Sequence, residues 1–276
     1  MKETACRFGP ESNLIGILSE PEVKDGRPNL PAVLMLNAGL VHRVGPHRMS
    51  VKLARRLAAC GIFSLRFDMG GRGDSDLAHH EESDERRIFA DANDAMDFLE
   101  RKNIAHSFVL FGLCGGADKA HAIALRDSRV VGSILLDGHG YWTWRSYVVH
   151  YLPRLFRPRA LFNFIRRALS PPQKAPPRFG ITPFTERFGP RREVEHEVHT
   201  LVQRGTQSLY VYTGGARDYY NYAKQFHDMF DGLKSSDSIE VEFYPNCDHL
   251  FMFEEDRERL FARIVEWFNS RNWRTN

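Results

Sequence analysis

No run of eighteen apolar residues occurs in the chain, so no transmembrane helix is expected. The opening residues, Met1 to Pro10, lack an apolar core of signal-peptide type, and no leader is read there. Cysteine is scarce. Cys6, Cys60, Cys114 and Cys247, spread over 276 residues, build no disulfide framework, and their spacing fits no zinc site. A reducing, cytoplasmic setting is the resulting expectation. Gly70-Gly71-Arg72-Gly73 has no Gly-Lys-Ser/Thr ending and is not a phosphate loop, and no dinucleotide fingerprint occurs elsewhere. Gly-x-Ser-x-Gly is also missing, as are internal repeats and low-complexity tails. These gaps argue against a membrane span, a disulfide scaffold, a metal centre and a nucleotide cofactor; no cofactor is expected.

What remains has the composition of a globular enzyme-sized domain, 42% hydrophobic and 26% charged. The net charge of +3 is unevenly spread. Between Gly140 and Gly205 stand twelve Lys/Arg and four Asp/Glu, a local balance of +8 against −5 for the rest. No nucleic-acid recognition motif accompanies this basic stretch, and a nucleic-acid partner is not expected.

The apolar pattern alternates between strand and helix. Residues from Thr4 to Pro21 read as a hairpin, and Pro31 to Asn37 as a strand buried on both faces. A helix is expected over Met49–Ala59, a strand over Ile62–Phe67, a helix over Glu85–Arg101 and a strand over Phe108–Leu113. A helix to Arg126 and a strand over Val130–Leu136 follow. After Gly140 the rhythm breaks into aromatics, prolines and arginines. Tyr147 to Phe164 reads as one or two amphipathic helices and Pro171 to Pro183 as loop. Strand Ser208–Tyr212, helix Tyr219–Leu233, strand Ile239–Tyr244 and helix Glu254–Ser270 complete the chain. Repeated βα units imply a mostly parallel sheet with helices on both faces. The domain expectation is a core of residues 1–139 and 207–276 with residues 140–206 inserted as a cap.

The strand ending at Gly112-Leu113-Cys114-Gly115-Gly116 runs directly into a helix. Glycines at 112 and 116 let strand and helix approach where a Cβ would collide, and Cys114 is left on a sharp, strained turn. A helix N-terminus behind the sulfur favours thiolate over thiol. The pattern resembles the nucleophile elbow of the α/β-hydrolase fold, with cysteine where serine is usual. The competing structural role, a small buried cysteine at a strand end, needs no partners. A catalytic thiol does: a histidine to handle its proton and a carboxylate to orient the histidine. His249 follows the last strand and Asp218 the one before, in the order nucleophile, acid, histidine. Asp137, at the end of Val130–Leu136, is the competing acid. Backbone N–H groups of Gly115 and Leu40 are the expected oxyanion donors. His42, His47 and Arg48 share the loop with Leu40, either as substrate contacts or as loop structure. Asp74 and Ser75 read as a turn that fixes a loop.

Three further stretches carry a family likeness: Arg43-Val44-Gly45-Pro46-His47-Arg48, Leu65-Arg66-Phe67-Asp68 with Gly-Arg-Gly-Asp-Ser75, and Gly112-Leu113-Cys114. They resemble the α/β-hydrolases associated with bacterial exosortase and exopolysaccharide systems. Those proteins are similar to the serine-aminopeptidase-like and dienelactone-hydrolase-like branches, and several carry a cysteine nucleophile. The likeness covers roughly residues 10 to 140, with only the triad pattern in the last 70. It implies a fold and a triad but no substrate, because the cap matches nothing in the family. The expected activity is acyl transfer from an ester, thioester or lactone through an acyl-enzyme. Hydrolysis is the first reading, and an acyltransferase or cyclising thioesterase the second. A small-molecule acyl substrate is expected, and an acidic acyl carrier protein would suit the basic cap. A binding module that kept the fold and lost turnover is the third reading, and preferential alkylation of Cys114 separates it from the other two.

Overall fold

The alternation of strand and helix along the chain is realised as one sheet with helices on both faces. The structure, a computed structural model, describes residues 1–22, 30–78, 83–155, 189–233 and 236–273. The strands are β1 (Lys2–Phe8), β2 (Leu14–Glu20), β3 (Ala32–Met35), β4 (Ser64–Asp68), β5 (Phe108–Leu113), β6 (Val130–Leu136), β7 (Gln207–Thr213) and β8 (Ile239–Tyr244). Their order in the sheet is β1-β2-β4-β3-β5-β6-β7-β8. Only β2 runs against its neighbours; all pairings from β4 to β8 are parallel.

Every residue of β3, β4 and β5 is buried, as strands covered on both faces require. The helices are α1 (Met49–Ala59), α2 (Asp84–Arg101), α3 (Gly115–Arg126), α4 (Trp144–Leu155), α5 (Arg191–Arg204), α6 (Gln225–Met229) and α7 (Glu254–Ser270). Two apolar layers result. Leu34, Leu110 and Tyr210 pack one sheet face against α2, α3 and α5. Val33, Met35 and Phe111 pack the other against α1 and α7. The edge strand β8 is only partly buried, and Arg263 of α7 pairs with its Glu240 and Glu242, which blunts the open edge with charge. Among the described residues no helix is long and apolar enough to cross a membrane.

One expectation is corrected. The helix expected over Tyr219–Leu233 is reduced to α6, flanked by short 3-10 turns at Gly214–Ala216 and Asp231–Leu233. The cause is Gln225, whose fully buried amide donates to the carbonyls of Tyr219 and Tyr141 and accepts from the Asn221 N–H. Those groups are satisfied by a side chain, so no continuous helix is needed to pair them. The stretch expected as the cap, 140–206, is described at its two ends. Its C-terminal part is α5, which packs Val194, Val198 and Leu201 into the core and ends at Gly205 with φ +85. An apolar stripe this narrow, in an otherwise charged segment, gave little periodic signal. The helical reading of Tyr147 to Phe164 is met by α4 as far as Leu155. The remainder of that segment and Pro171 to Pro183 lie outside the described residues.

Candidate active site

The site starts from the break between β5 and α3. Cys114 has φ 56 and ψ −123, a conformation L-residues seldom adopt, so the fold around it must hold it there. The glycines on either side explain how. A Cβ on Gly112 would stand 2.2 Å from the Gly116 backbone, and one on Gly116 would stand 2.9 Å from the Asn37 carbonyl oxygen. No other residue allows strand, turn and helix to meet this closely. The Cys114 N–H continues the sheet by donating to the Leu136 carbonyl at 2.9 Å. Its side chain is half-buried.

Asp137 is the residue after β6, and β6 is the direct neighbour of β5, with Leu136 in register with Leu113. Its φ of 47 turns the chain sharply as the strand ends. The Asp137 carboxyl group is fully buried. It accepts from the Thr213 N–H at 2.7 Å and the Thr213 hydroxyl at 2.6 Å, which leaves Oδ2 2.8 Å from Nδ1 of His249.

His249 arrives from the loop after β8. That loop is clamped by Asp248, which accepts from the Leu250 and Met252 N–H groups, and by the buried Arg257, which donates to the Phe251 and Met252 carbonyls at 2.6 Å each. Gly214 and Gly215 make room for it: a Cβ on Gly215 would stand 2.3 Å from the His249 nitrogen. The imidazole is also in hydrogen-bonding contact with Cys114. Burial alone would disfavour its charge, but the bonds to Asp137 and Cys114 outweigh this and raise its pKa to about 9. An imidazolium held between a carboxylate and a sulfur is the environment that stabilises a thiolate.

Of the expected residues, Cys114 and His249 therefore come together and Asp218 does not. Asp218 is exposed, and its backbone carbonyl accepts the Trp142 indole N–H at 2.7 Å. The tight Gly214–Ala216 turn carries the chain past the histidine before residue 218 is reached. Asp137, the competing acid of the sequence reading, holds the position instead. Thr213, which grips Asp137, was not anticipated; as the last residue of β7 it carries no motif. The turn Ala38–Val41, closed by the Val41 N–H donating to the Ala38 carbonyl, runs beside the elbow. The Gly39 nitrogen would lie 3.7 Å from a Cβ on Gly115, so Gly39, one residue before the expected Leu40, is the part of this turn found against the elbow. The Leu40 side chain is 86% exposed.

The neighbouring loops hold a second polar cluster. Asp68, with a fully buried carboxyl group, accepts from the Arg43 backbone N–H at 2.6 Å and from Asn37 at 2.9 Å, and pairs with the Arg43 guanidinium. His42 Nε2 lies 2.7 Å from Arg43 Nη1 and 3.3 Å from both Asp68 and Asp74. Among the described residues, His42, Asp68 and Asp74 are the cluster with metal-ligand spacing, but the Arg43 guanidinium already supplies the positive charge between them. Ser75 is a structural residue, as expected: its hydroxyl donates to the Asp68 carbonyl at 2.6 Å and accepts from the Ile15 N–H at 2.8 Å.

An esterase of Pyrococcus furiosus superposes with a TM-score of 0.61 at 11% identity, covering 97% of this chain and 90% of its own. The chain has the α/β-hydrolase fold. An α/β hydrolase from a Penicillium species, GrgF, matches at TM-score 0.58 and 16% identity over 98% of both chains. A serine hydrolase of Xanthomonas campestris described as lacking a lid matches at 0.56 and 13%, covering 98% of this chain and 94% of its own. No family model matches the sequence, and no curated protein sequence does.

Proposed function

We propose that the protein is a cysteine-dependent acyl hydrolase that works through Cys114, His249 and Asp137. The observation that carries the reading is the single imidazole bonded on one side to a buried carboxyl group and in contact on the other with a sulfur on a strained elbow. Asp137 takes the orienting role expected of Asp218. In this mechanism the Cys114 thiolate attacks an ester, thioester or lactone carbonyl, and the carbonyl electron pair moves onto oxygen. The oxyanion is met by the Gly115 N–H, which as the first helical residue has no intrahelical acceptor, and by the N–H groups of the Gly39-Leu40 turn. Collapse of the adduct expels an alcohol or thiol, which takes its proton from the His249 imidazolium and leaves a thioester on Cys114. Neutral His249 then takes a proton from water as it attacks, and breakdown returns the acid and the thiolate.

Amide substrates suit the site poorly. A thiolate leaves the tetrahedral adduct more readily than an amine, so the adduct reverts. Activated acyl donors, thioesters above all, are the favoured class. The exposed apolar side chains of Leu40 and Leu250, next to the proposed oxyanion turn and to His249, favour an apolar acyl group over a charged one. The basic balance of +8 between Gly140 and Gly205 favours an anionic donor such as an acyl group on an acidic carrier. Transfer to an alcohol or amine in place of water would use the same acyl-enzyme.

The test is intact-mass spectrometry after mixing with a p-nitrophenyl ester or an acyl thioester. One acyl group on Cys114, lost on a Cys114→Ala change and released faster in the presence of the true acceptor, is the expected result. Iodoacetamide should label Cys114 ahead of Cys6 and Cys247, whose burial raises their thiol pKa values above the ordinary one. Equal labelling of all cysteines with no acyl adduct would favour the binding-module reading instead.

A further inference from the structure

Asp137 stands on a strained main chain, and the two peptide groups beside it are held in different ways. Its φ of 47 lies in the left-handed region, where an L-residue stays only if its surroundings keep it there. The peptide before it belongs to the sheet. The Leu136 carbonyl accepts from the Cys114 N–H at 2.9 Å, and the Asp137 N–H donates to the Val211 carbonyl at 2.8 Å. The peptide after it has left the sheet, because β6 ends at Leu136. A buried carbonyl at that place needs a donor from elsewhere.

The Tyr219 hydroxyl supplies it, donating to the Asp137 carbonyl at 2.9 Å. Tyr219 is buried, and its ring lies against Gly140, where a Cβ would stand 2.4 Å from it. Its main chain is fixed at both ends. The N–H donates to the Ala216 carbonyl at 3.0 Å, and the carbonyl accepts from the buried Gln225 amide at 2.7 Å. Ala216 closes the Gly214–Ala216 turn, which packs on the histidine: a Cβ on Gly215 would stand 2.8 Å from the His249 Cβ. Tyr219 therefore reaches Asp137 with its hydroxyl while its main chain is tied to the turn that seats His249. A second buried tyrosine holds the same loop further on. The Tyr212 hydroxyl donates to the His139 carbonyl at 2.6 Å, with its ring stacked on Tyr220 at 3.6 Å.

Thr213 grips the carboxyl oxygens, but the direction in which the carboxyl group leaves the chain is set by the main chain. Rotation about φ moves Cβ and the carbonyl carbon together, so a bond that holds the carbonyl also holds the Cβ. We propose that Tyr219 is a positioning residue for the site of Cys114, His249 and Asp137: its hydroxyl keeps Asp137 in the left-handed turn that aims Oδ2 at Nδ1 of His249. The proposal rests on the reading of Asp137 as the orienting carboxylate.

The test is Tyr219→Phe, which removes the hydroxyl and keeps the ring. Turnover of an acyl thioester should fall about 10- to 100-fold in kcat, with KM changed by less than about threefold. His249, titrated by NMR without substrate, should lose its proton at a pH lower than in wild type by about 0.5 or more, because a carboxylate out of line stabilises the imidazolium less. Tyr212→Phe deletes a hydroxyl from the same loop but two residues from the carboxyl group, and should change kcat by less than about twofold. In an Asp137→Asn background, Tyr219→Phe should cost less than about twofold more, since its route to the imidazole is already cut. Should Tyr219→Phe not fold, Gly140→Ala, whose Cβ would press on the Tyr219 ring, takes its place with the same expectations.

A Tyr219→Phe protein that melts at a lower temperature but keeps the wild-type kcat and His249 titration would overturn the proposal. So would equal losses in Tyr212→Phe and Tyr219→Phe, or an undiminished loss from Tyr219→Phe in the Asp137→Asn background. The titration reads His249 without turnover, which separates this proposal from the acyl-hydrolase reading. A missing Cys114 adduct with the titration difference present would count against that reading, while the hold of Tyr219 on Asp137 would stand.

Discussion

Two histidines in this protein stand against a fully buried aspartate at the carboxyl end of the sheet, and they differ in what else touches the ring. His42 lies 3.3 Å from Asp68, and His249 lies 2.8 Å from Asp137. Around His42 the charge is taken up by the guanidinium of Arg43, which is bonded to Asp68 and Asp74 and lies 2.7 Å from the ring. Around His249 the carboxyl group is held by the uncharged Thr213, and the ring meets a sulfur. A histidine–aspartate pair is therefore not in itself a catalytic device. With a resident cation it braces a loop, whereas with a nucleophile it can move a proton.

The sharpest way to break this contrast is to remove the sulfur. Cys114→Ala should lower turnover of a thioester by about 1,000-fold or more while leaving folding intact. Next come the two aspartates. Asp137→Asn should cost about 100- to 10,000-fold in kcat/KM with a modest change in stability, because the ring loses its orientation and its imidazolium loses its counter-charge. Asp68→Asn should do the opposite, lowering stability in urea unfolding by about 2–4 kcal/mol because the Arg43 guanidinium is left without its buried partner. If Asp68→Asn abolished turnover at full stability, the two clusters would be one functional unit.

The dependence on pH sharpens the comparison further. The His249 pKa is raised to about 9, above the free value of about 6.5. In the proposed mechanism the imidazolium protonates the leaving group; it is lost as pH rises through about 9, and kcat/KM should fall there. The same shift makes the His249 contribution to stability complete below about pH 6.5 and lost progressively up to about 9. Asp137→Asn should move the upper limb to lower pH; His42→Gln should leave it in place. The smallest effect belongs to Asp218→Asn, within about twofold of wild type in kcat/KM, since an exposed side chain away from the imidazole has little to lose. A larger loss would return Asp218 to the site.

The fold was legible because its signals are local and repeated. The apolar runs of β3, β5 and β6 and the amphipathic stripes of α1, α2 and α7 each sit where their periodicity put them. The elbow was legible because Gly112 and Gly116 are demanded by backbone collisions that no other residue escapes. Which aspartate meets His249 was harder to read. Asp137 and Asp218 both follow strands, and the choice between them rests on where Gly214-Gly215-Ala216 sends the chain, which depends on the packing of the His249 loop against those glycines. Helix α5 was obscured for a related reason: three apolar residues suffice for its contact with the core, and its charged remainder outweighs them in composition.

Placing the carboxylate directly after β6 sets it beside the end of the elbow strand, to which β6 is joined rung by rung. Sulfur and acid thus ride on one rigid plate, and any flexing of the sheet carries them together. Only the ring comes from elsewhere, on the nine-residue loop from Pro245 to Phe253, steadied by the guanidinium of Arg257. Both contacts of the ring, to Asp137 and to Cys114, therefore depend on how firmly that one loop is held.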